Sequence, residues 1–397
     1  MYKPFITTPQ LFTSIVLFEL GSSIVVGLGM QAKQDAWLAL LIGLVPGLLI
    51  FAVYAYLHGV FPRYSLVGIL FQLFGSWIGS CLSIVYILYF IYIASRVLRD
   101  FISLIVIVTL DLTPIYMISL LMLAIIFYAC QSGLAPLLRT GIILTFIVIV
   151  FWLITFILLL LSDVADFNRL LPVLEEGWKP VLQTAFPLTA TFPFGEMVVF
   201  MMFLGQVKQP RSVLRIGVLA LLFSALLLII TTILDIVVLG TEQATHKAFP
   251  FYTTVTKINI REIIQRMDAL AVSILIIGMF YKISLFFYAA LQATEEIAAQ
   301  LRKAHNSHKV ACDDDSSQTP AVSFPAPSHI RLPLSLLYAV ILFLTSYWVA
   351  NNFIQHIHIG LKWVPFYLHL PLQYILPGLM ALMALWKSKK TQPSLST

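Results

Sequence analysis

Charge is what this sequence has least of. Only 11% of its 397 residues are Asp, Glu, Lys or Arg, where a soluble globular chain carries about 25%. That shortage excludes an ordinary soluble fold. Cysteine is scarce as well: Cys81, Cys130 and Cys312 show neither metal-ligand spacing nor a disulfide framework. There is no Gly-rich phosphate loop, nucleophile elbow or His-Glu-x-x-His run, so no enzyme, metal or cofactor signature stands out. The opening "MYKPFITTPQLF" lacks the charged n-region and small-residue cleavage site of a signal peptide. The first apolar run is therefore expected to stay as a helix.

Apolar residues fill the space that charge leaves. They make up 60% of the chain and recur in runs near the ~20 residues that a spanning helix needs. The ~10-residue alternation of a transmembrane barrel is not the pattern. The chain reads as an all-α polytopic membrane protein, a single transmembrane domain over 1–397, embedded in a lipid bilayer. Ten spans are expected, at about 10–31, 35–59, 77–109, 115–131, 140–161, 184–205, 214–239, 266–294, 333–350 and 366–386. The third and eighth are long and should tilt or extend past the bilayer. The formal charge of +6 does not imply nucleic acid, because most basic residues sit in loops between apolar spans. Arg63, Arg139, Lys208, Arg211, Arg302 and Lys303 favour both termini in the cytoplasm, with the loop near 162–183 outside. The stretch "HNSHKVACDDDSSQTPAVSFPAPSH" has little to bury and is expected to form a disordered cytoplasmic loop at about 303–331. Its His and Asp residues show no ligand spacing. A short tail follows at 388–397.

Two spans carry interruptions. "FELGSSIVVGLGM", residues 18 to 30, holds Glu19, Gly21, Ser22, Ser23, Gly27 and Gly29. "TFPFGEMVVFMMFLGQVKQPR", residues 191 to 211, brings Pro193, Gly195 and Glu196 together beside Phe194. These are spans one and six, corresponding members of two five-helix halves, at about 1–161 and 184–387. An odd repeat length inverts the second half in the membrane. Paired interruptions of this kind point to a midplane site, because irregular backbone at membrane depth needs buried protein or a wet cavity to satisfy it. Freed N–H groups would favour a carboxylate and freed carbonyls an ammonium, so the breaks suit a small zwitterion. A Pro kink with Gly packing between helices is the competing reading.

The "FPFGE" motif with the following "MVVFMMFLGQVKQP" resembles the B subunit of bacterial spore germinant receptors. That family is the spore-germination branch of the amino acid–polyamine–organocation superfamily. "ITTPQLFTSIVLFELGSS" followed by "KQDAWLALLIG", and "YKISLFFYAA" in span eight, are similar to the same family. The resemblance implies a LeuT-like 5+5 fold with helices 1 and 6 broken. It also implies sensing of a small germinant, usually an amino acid, beside A- and C-type receptor subunits in the spore inner membrane or cell membrane. An active amino-acid or ion transporter and a non-binding receptor scaffold are the alternatives.

The ligand-facing set expected from these patterns is Gly21, Ser22, Ser23, Gly27, Tyr92, Ser95, Phe194, Gly195, Glu196, Ser284 and Tyr288. In span three, Tyr92, Arg96, Arg99 and Ser103 follow helical spacing, and Arg96 and Asp100 are placed to pair. That stripe locks helices together or walls a cavity. In span eight, Tyr281, Ser284, Tyr288, Gln292 and Glu295 share a face. Lys282 beside them reads as a fixed charge in place of a bound cation, or as a partner for Asp235. Glu196 is suited to a ligand ammonium, a proton, or capping of its own half-helix.

Overall fold

The computed structural model describes residues 5–162, 164–258, 267–310, 331–350 and 352–391. Among these residues the chain is helical throughout, with no strand beyond an isolated bridge between Ile6 and Val207. Of the disordered loop expected at 303–331, helix continues to Val310 and resumes at Arg331, and of the tail expected at 388–397 helix runs to Thr391; residues 311–330 and 392–397 lie outside the described residues.

The first half contains α1 (Thr8–Leu20), α2 (Ala36–Val60), α3 (Leu66–Val108), α4 (Ile115–Gln131) and α5 (Leu134–Leu161). The second contains α6 (Trp178–Gln183), α7 (Val213–His246), α8 (Pro250–Thr256), α9 (Asp268–Val310), α10 (Arg331–Trp348), α11 (Phe353–Val364) and α12 (Leu376–Thr391). Among the described residues, eight helical runs are long and apolar enough to cross a membrane. Two of the expected spans fall short of that length, each for a local reason. Span one is α-helical for 13 residues, then loses regular helix at Gly21 and resumes as a 3-10 turn at Met30–Asp35. Span four is α4, with 17 residues.

Local chemistry sets several of the boundaries. α1 starts at a capping box in which the Thr7 backbone N–H donates to Gln10 Oε1 at 2.9 Å. α3 starts where Ser65 Oγ accepts from Gly68 N at 3.2 Å. α3 then runs 43 residues, bent at Gly75, whose φ of 78° only glycine takes without strain. α9 is equally long, and the two pack along each other. At ~1.5 Å per residue both exceed the hydrocarbon thickness.

Close packing relies on small residues rather than on hydrophobic segregation, as expected in lipid. A Cβ at Gly217 of α7 would lie 1.9 Å from Phe51 Cζ of α2, and one at Gly47 would lie 2.4 Å from Phe194 Cβ. Thr189 Oγ1 donates to Ala39 O at 2.8 Å in the same α2 interface. Outside this core, large apolar side chains such as Leu49, Leu121, Phe146 and Leu382 face outward, which fits a lipid-facing surface.

Candidate functional site

Both interruptions are present in the structure. α1 ends at Gly21, where φ −35° and ψ −86° leave the helical region. Gly27 and Gly29 then take positive φ, 57° and 76°, backbone that L side chains rarely adopt. In span six, α6 passes into a wide π turn over Thr184–Thr189, breaks at Phe192 and Pro193, and continues as a 3-10 helix over Phe194–Met202. Pro193 has no N–H to donate. Two carbonyls near this break are met by tyrosines: Tyr374 Oη donates to Ala190 O at 2.8 Å, and Tyr54 Oη sits 3.5 Å from Gly195 O.

The breaks meet α9 at close range. A Cβ at Gly21 would lie 2.9 Å from Gly278 O and 3.1 Å from Lys282 Cβ, so two glycines let the backbones touch. That contact delivers Lys282 into the gap. Its side chain is fully buried, and Nζ lies 2.5 Å from Glu196 Oε2. The same Nζ is 4.9 Å from the Phe18 ring centre and 4.8 Å from that of Phe192, one aromatic face from each broken span. The sequence suggested Asp235 as a partner for Lys282, but the fold supplies Glu196. Asp235 instead accepts from Thr254 Oγ1 at 2.6 Å. Glu19, fully buried nearby, has no hydrogen-bond partner on either carboxyl oxygen.

Glu196 also has a second neighbour that the sequence reading missed. His369 Nε2 lies 3.9 Å from Glu196 Oε1. The other ring nitrogen, Nδ1, is 2.8 Å from Tyr89 Oη and 2.9 Å from Gln373 Nε2. The ring nitrogen Nδ1 thus joins Tyr89 and Gln373 in one hydrogen-bonded group, while Nε2 faces Glu196. Gln373 Nε2 also donates to Tyr89 Oη at 2.8 Å, and Tyr54 Oη donates to Gln373 O at 2.6 Å. One network thus ties α2, α3 and the last span to the break in span six.

Beside this network is a buried cavity of about 50 Å³. Its polar wall is Ser22, Arg96, Asp100, Glu196 and His369. Phe192, Val26, Ile357, Leu361 and Val364 are among the apolar lining. The volume holds a few waters at most, so the cavity is closed in this form. Val26, Ile357 and Leu361 also line a wider vestibule of about 370 Å³ that reaches Gln31, His246 and Lys247. Those three apolar side chains therefore belong to the walls of both cavities.

The expected site residues are partly gathered here. Ser22, Arg96, Asp100 and Glu196 line the cavity, with Lys282 behind Glu196. Ser23 is buried without a side-chain partner, and Tyr92 lies under the Arg96 guanidinium at 6.0 Å. Gly27 faces Pro250, and Phe194 packs on Gly47. The side of Gly195 where a Cβ would stand is filled by Gln373 Oε1, 2.1 Å away. Ser95 Oγ meets Thr345 Oγ1 at 2.5 Å and joins α3 to α10. Ser284 and Tyr288 do not line the cavity. Ser284 Oγ donates to Phe280 O of its own helix, and Tyr288 sits 4.6 Å below the Arg331 guanidinium.

The Arg96–Asp100 pair permitted by helical spacing does not form. Asp100 Oδ1 is 2.9 Å from His356 Nε2, and Arg96 Nη2 donates to His356 O at 2.8 Å. Both partners come from His356 of α11, a helix that precedes the expected start of span ten. The sequence signal was the polar spacing within "IQHIHIGLKWVPFYLHLPLQY", where His356 and Gly360, and again His369 and Gln373, are four apart.

Two broken spans enclosing a charged cavity, in a chain otherwise made of apolar helices, define a multi-pass helical membrane protein with a buried polar centre. The chain belongs to the spore germination protein family, whose pattern, described as Spore germination protein, matches residues 5–308. It is similar to Spore germination protein KB of Bacillus subtilis (strain 168), 32% identical over 394 residues, covering 99% of this chain and 98% of that one. It is also similar to Spore germination protein YndE of the same organism, 24% identical with 74% and 81% of the two chains covered. Spore germination protein XB of Bacillus anthracis is 24% identical, with 81% and 91% covered. A role in germination, in the membrane of a Bacillus-type spore former, follows from this membership.

Proposed function

We propose that the chain is the membrane subunit of a nutrient germinant receptor. It binds a small germinant, an amino acid by the chemistry of the site, between the breaks of spans one and six, and signals with A- and C-type partner subunits. The two halves, about 1–161 and 184–387, are read as a LeuT-like inverted 5+5 repeat in one transmembrane domain, with ten spans, both termini cytoplasmic and the 303–331 loop on the same side. The spore inner membrane is the proposed location.

The observation that carries this reading is the cavity itself. Ser22 of one break and Glu196 of the other share its wall with Arg96 and Asp100 of α3. A helix kink with packing glycines requires no such gathering of ionisable groups at membrane depth. Lys282, salt-bridged to Glu196, takes the place that a bound cation would otherwise fill. A transporter is the second reading. It draws support from the vestibule that shares Val26, Ile357 and Leu361 with the cavity, an arrangement suited to a gated access route.

Reconstitution separates the two. Proteoliposomes carrying the full chain are expected to bind a radiolabelled amino acid saturably without concentrating it. Concentrative uptake, dependent on an ion gradient, would replace the receptor reading with the transporter.

A further inference from the structure

The cavity wall contains one charge whose hydrogen-bonding capacity is not used up by the protein. Arg96 is 8% exposed. Its Nη2 is committed to His356 O, whereas Nη1 is buried with no protein partner. The nearest acid on its own helix, Asp100, is held by His356 at 2.9 Å. Glu196, also in the lining, is held by Lys282 at 2.5 Å. Both carboxylates at the cavity therefore have cationic or N–H partners, and the guanidinium keeps a free donor.

The orientation of that donor is fixed from two sides. The Tyr92 ring lies under the guanidinium at 6.0 Å. On α11 the group rests against Gly360, where a Cβ would lie 2.2 Å from Nη2. A side chain at 360 would push the guanidinium away, so the glycine creates its seat. A planar, pre-positioned guanidinium with free N–H is suited to a carboxylate. The same cavity is lined by the Ser22 hydroxyl, without a side-chain partner, and by the Glu196 carboxylate.

We propose that Arg96 is the subsite for the anionic end of the ligand, so that an amino acid sits with its carboxylate on α3 and its ammonium toward Glu196 and Ser22. This rests on the reading that the cavity holds the germinant. It places the carboxylate on a side chain of α3 rather than on the freed N–H groups of a broken span. It also makes a free carboxylate a requirement of the ligand: an amino acid qualifies, and its amide or a sugar does not.

The test is thermal unfolding of the purified full-length protein in detergent. The probes are acetate, each common amino acid singly, and the amide of any amino acid that acts. In the wild type, acetate and at least one amino acid are expected to raise the unfolding midpoint. The matching amide should need about tenfold or more higher concentration. Arg96→Gln should abolish the acetate response and weaken the amino acid by a similar factor, while Arg96→Lys should retain part of it. Gly360→Ala displaces the guanidinium without removing its charge and should act in the same direction, which keeps the test open if Arg96→Gln fails to fold. If amino acids stabilise the wild type and both variants alike, the subsite is refuted and the germinant cavity stands. If acetate acts through Arg96 but no amino acid does, the subsite stands and the amino-acid reading falls. No response of the wild type to any probe would overturn both.

Discussion

Replacing Lys282 with methionine is expected to destabilise the folded protein by roughly 3–5 kcal/mol, because it leaves Glu196 buried without its counter-charge. Lys282 is fully buried and its Nζ lies 2.5 Å from Glu196 Oε2. Glu196 is itself 2% exposed, so the uncompensated carboxylate would sit largely away from bulk water. The stacking of the ammonium on Phe18 and Phe192 is lost in the same step. Adding Glu196→Gln to Lys282→Met removes the orphaned charge and should recover most of the loss. Abundance in the membrane and the unfolding midpoint of the single and double variants read this directly. A single variant as stable as the wild type would mean that the ion pair does not hold spans one, six and α9 together.

The second large effect is expected at Gly195. A methyl added there meets Gln373 Oε1 at 2.1 Å, and Gln373 is fully buried with its amide bonded to Tyr89 and His369. The amide has to move and its hydrogen bonds are broken or bent. Two hydrogen bonds and local overpacking place the cost of Gly195→Ala at roughly 2–4 kcal/mol. Shortening Gln373 to alanine empties the space the methyl enters. The double variant should therefore lose less than the two single changes summed, a coupling that a double-mutant cycle measures. Additive losses would show that Gly195 and Gln373 act independently, and would leave the bare backbone of Gly195 to a different contact.

Much of the architecture was legible because it depends on single-chain chemistry. Apolar run length marks a span wherever the run is uninterrupted, and a cluster of Pro193, Gly195 and Glu196 inside one marks a place where plain helix fails. The conformation at the failure was less legible. The residues after Pro193 continue as a 3-10 helix rather than an α-helix, a choice set by packing on α2, α9 and the last span.

Partners were harder still. Spacing allowed Arg96 to meet Asp100, and Asp235 was a possible partner for Lys282. Tertiary placement gave Asp100 to His356 and Lys282 to Glu196. Helical spacing correctly puts Ser284 and Tyr288 on one side of α9, yet it carries no information about which neighbour that side meets. There the neighbours are Cys130 of α4 and Arg331 at the start of α10. His356 was missed because it lies in α11, before the expected span at 366, and His369, inside that span, because its π turn at Pro365–Ile375 hides which residues it faces.

The central claim is that the germinant occupies the cavity between the two breaks. Ser22 lines that cavity from span one and its Oγ has no side-chain partner, so Ser22→Cys is a near-isosteric probe of it. In a background without Cys81, Cys130 and Cys312, the rate at which a small thiol reagent modifies residue 22 is measured with and without the nutrient that triggers germination through this chain. The account predicts that saturating nutrient slows the modification severalfold, and that wild-type protein in the same background is not modified. An unchanged rate at a nutrient concentration that still triggers germination would contradict it.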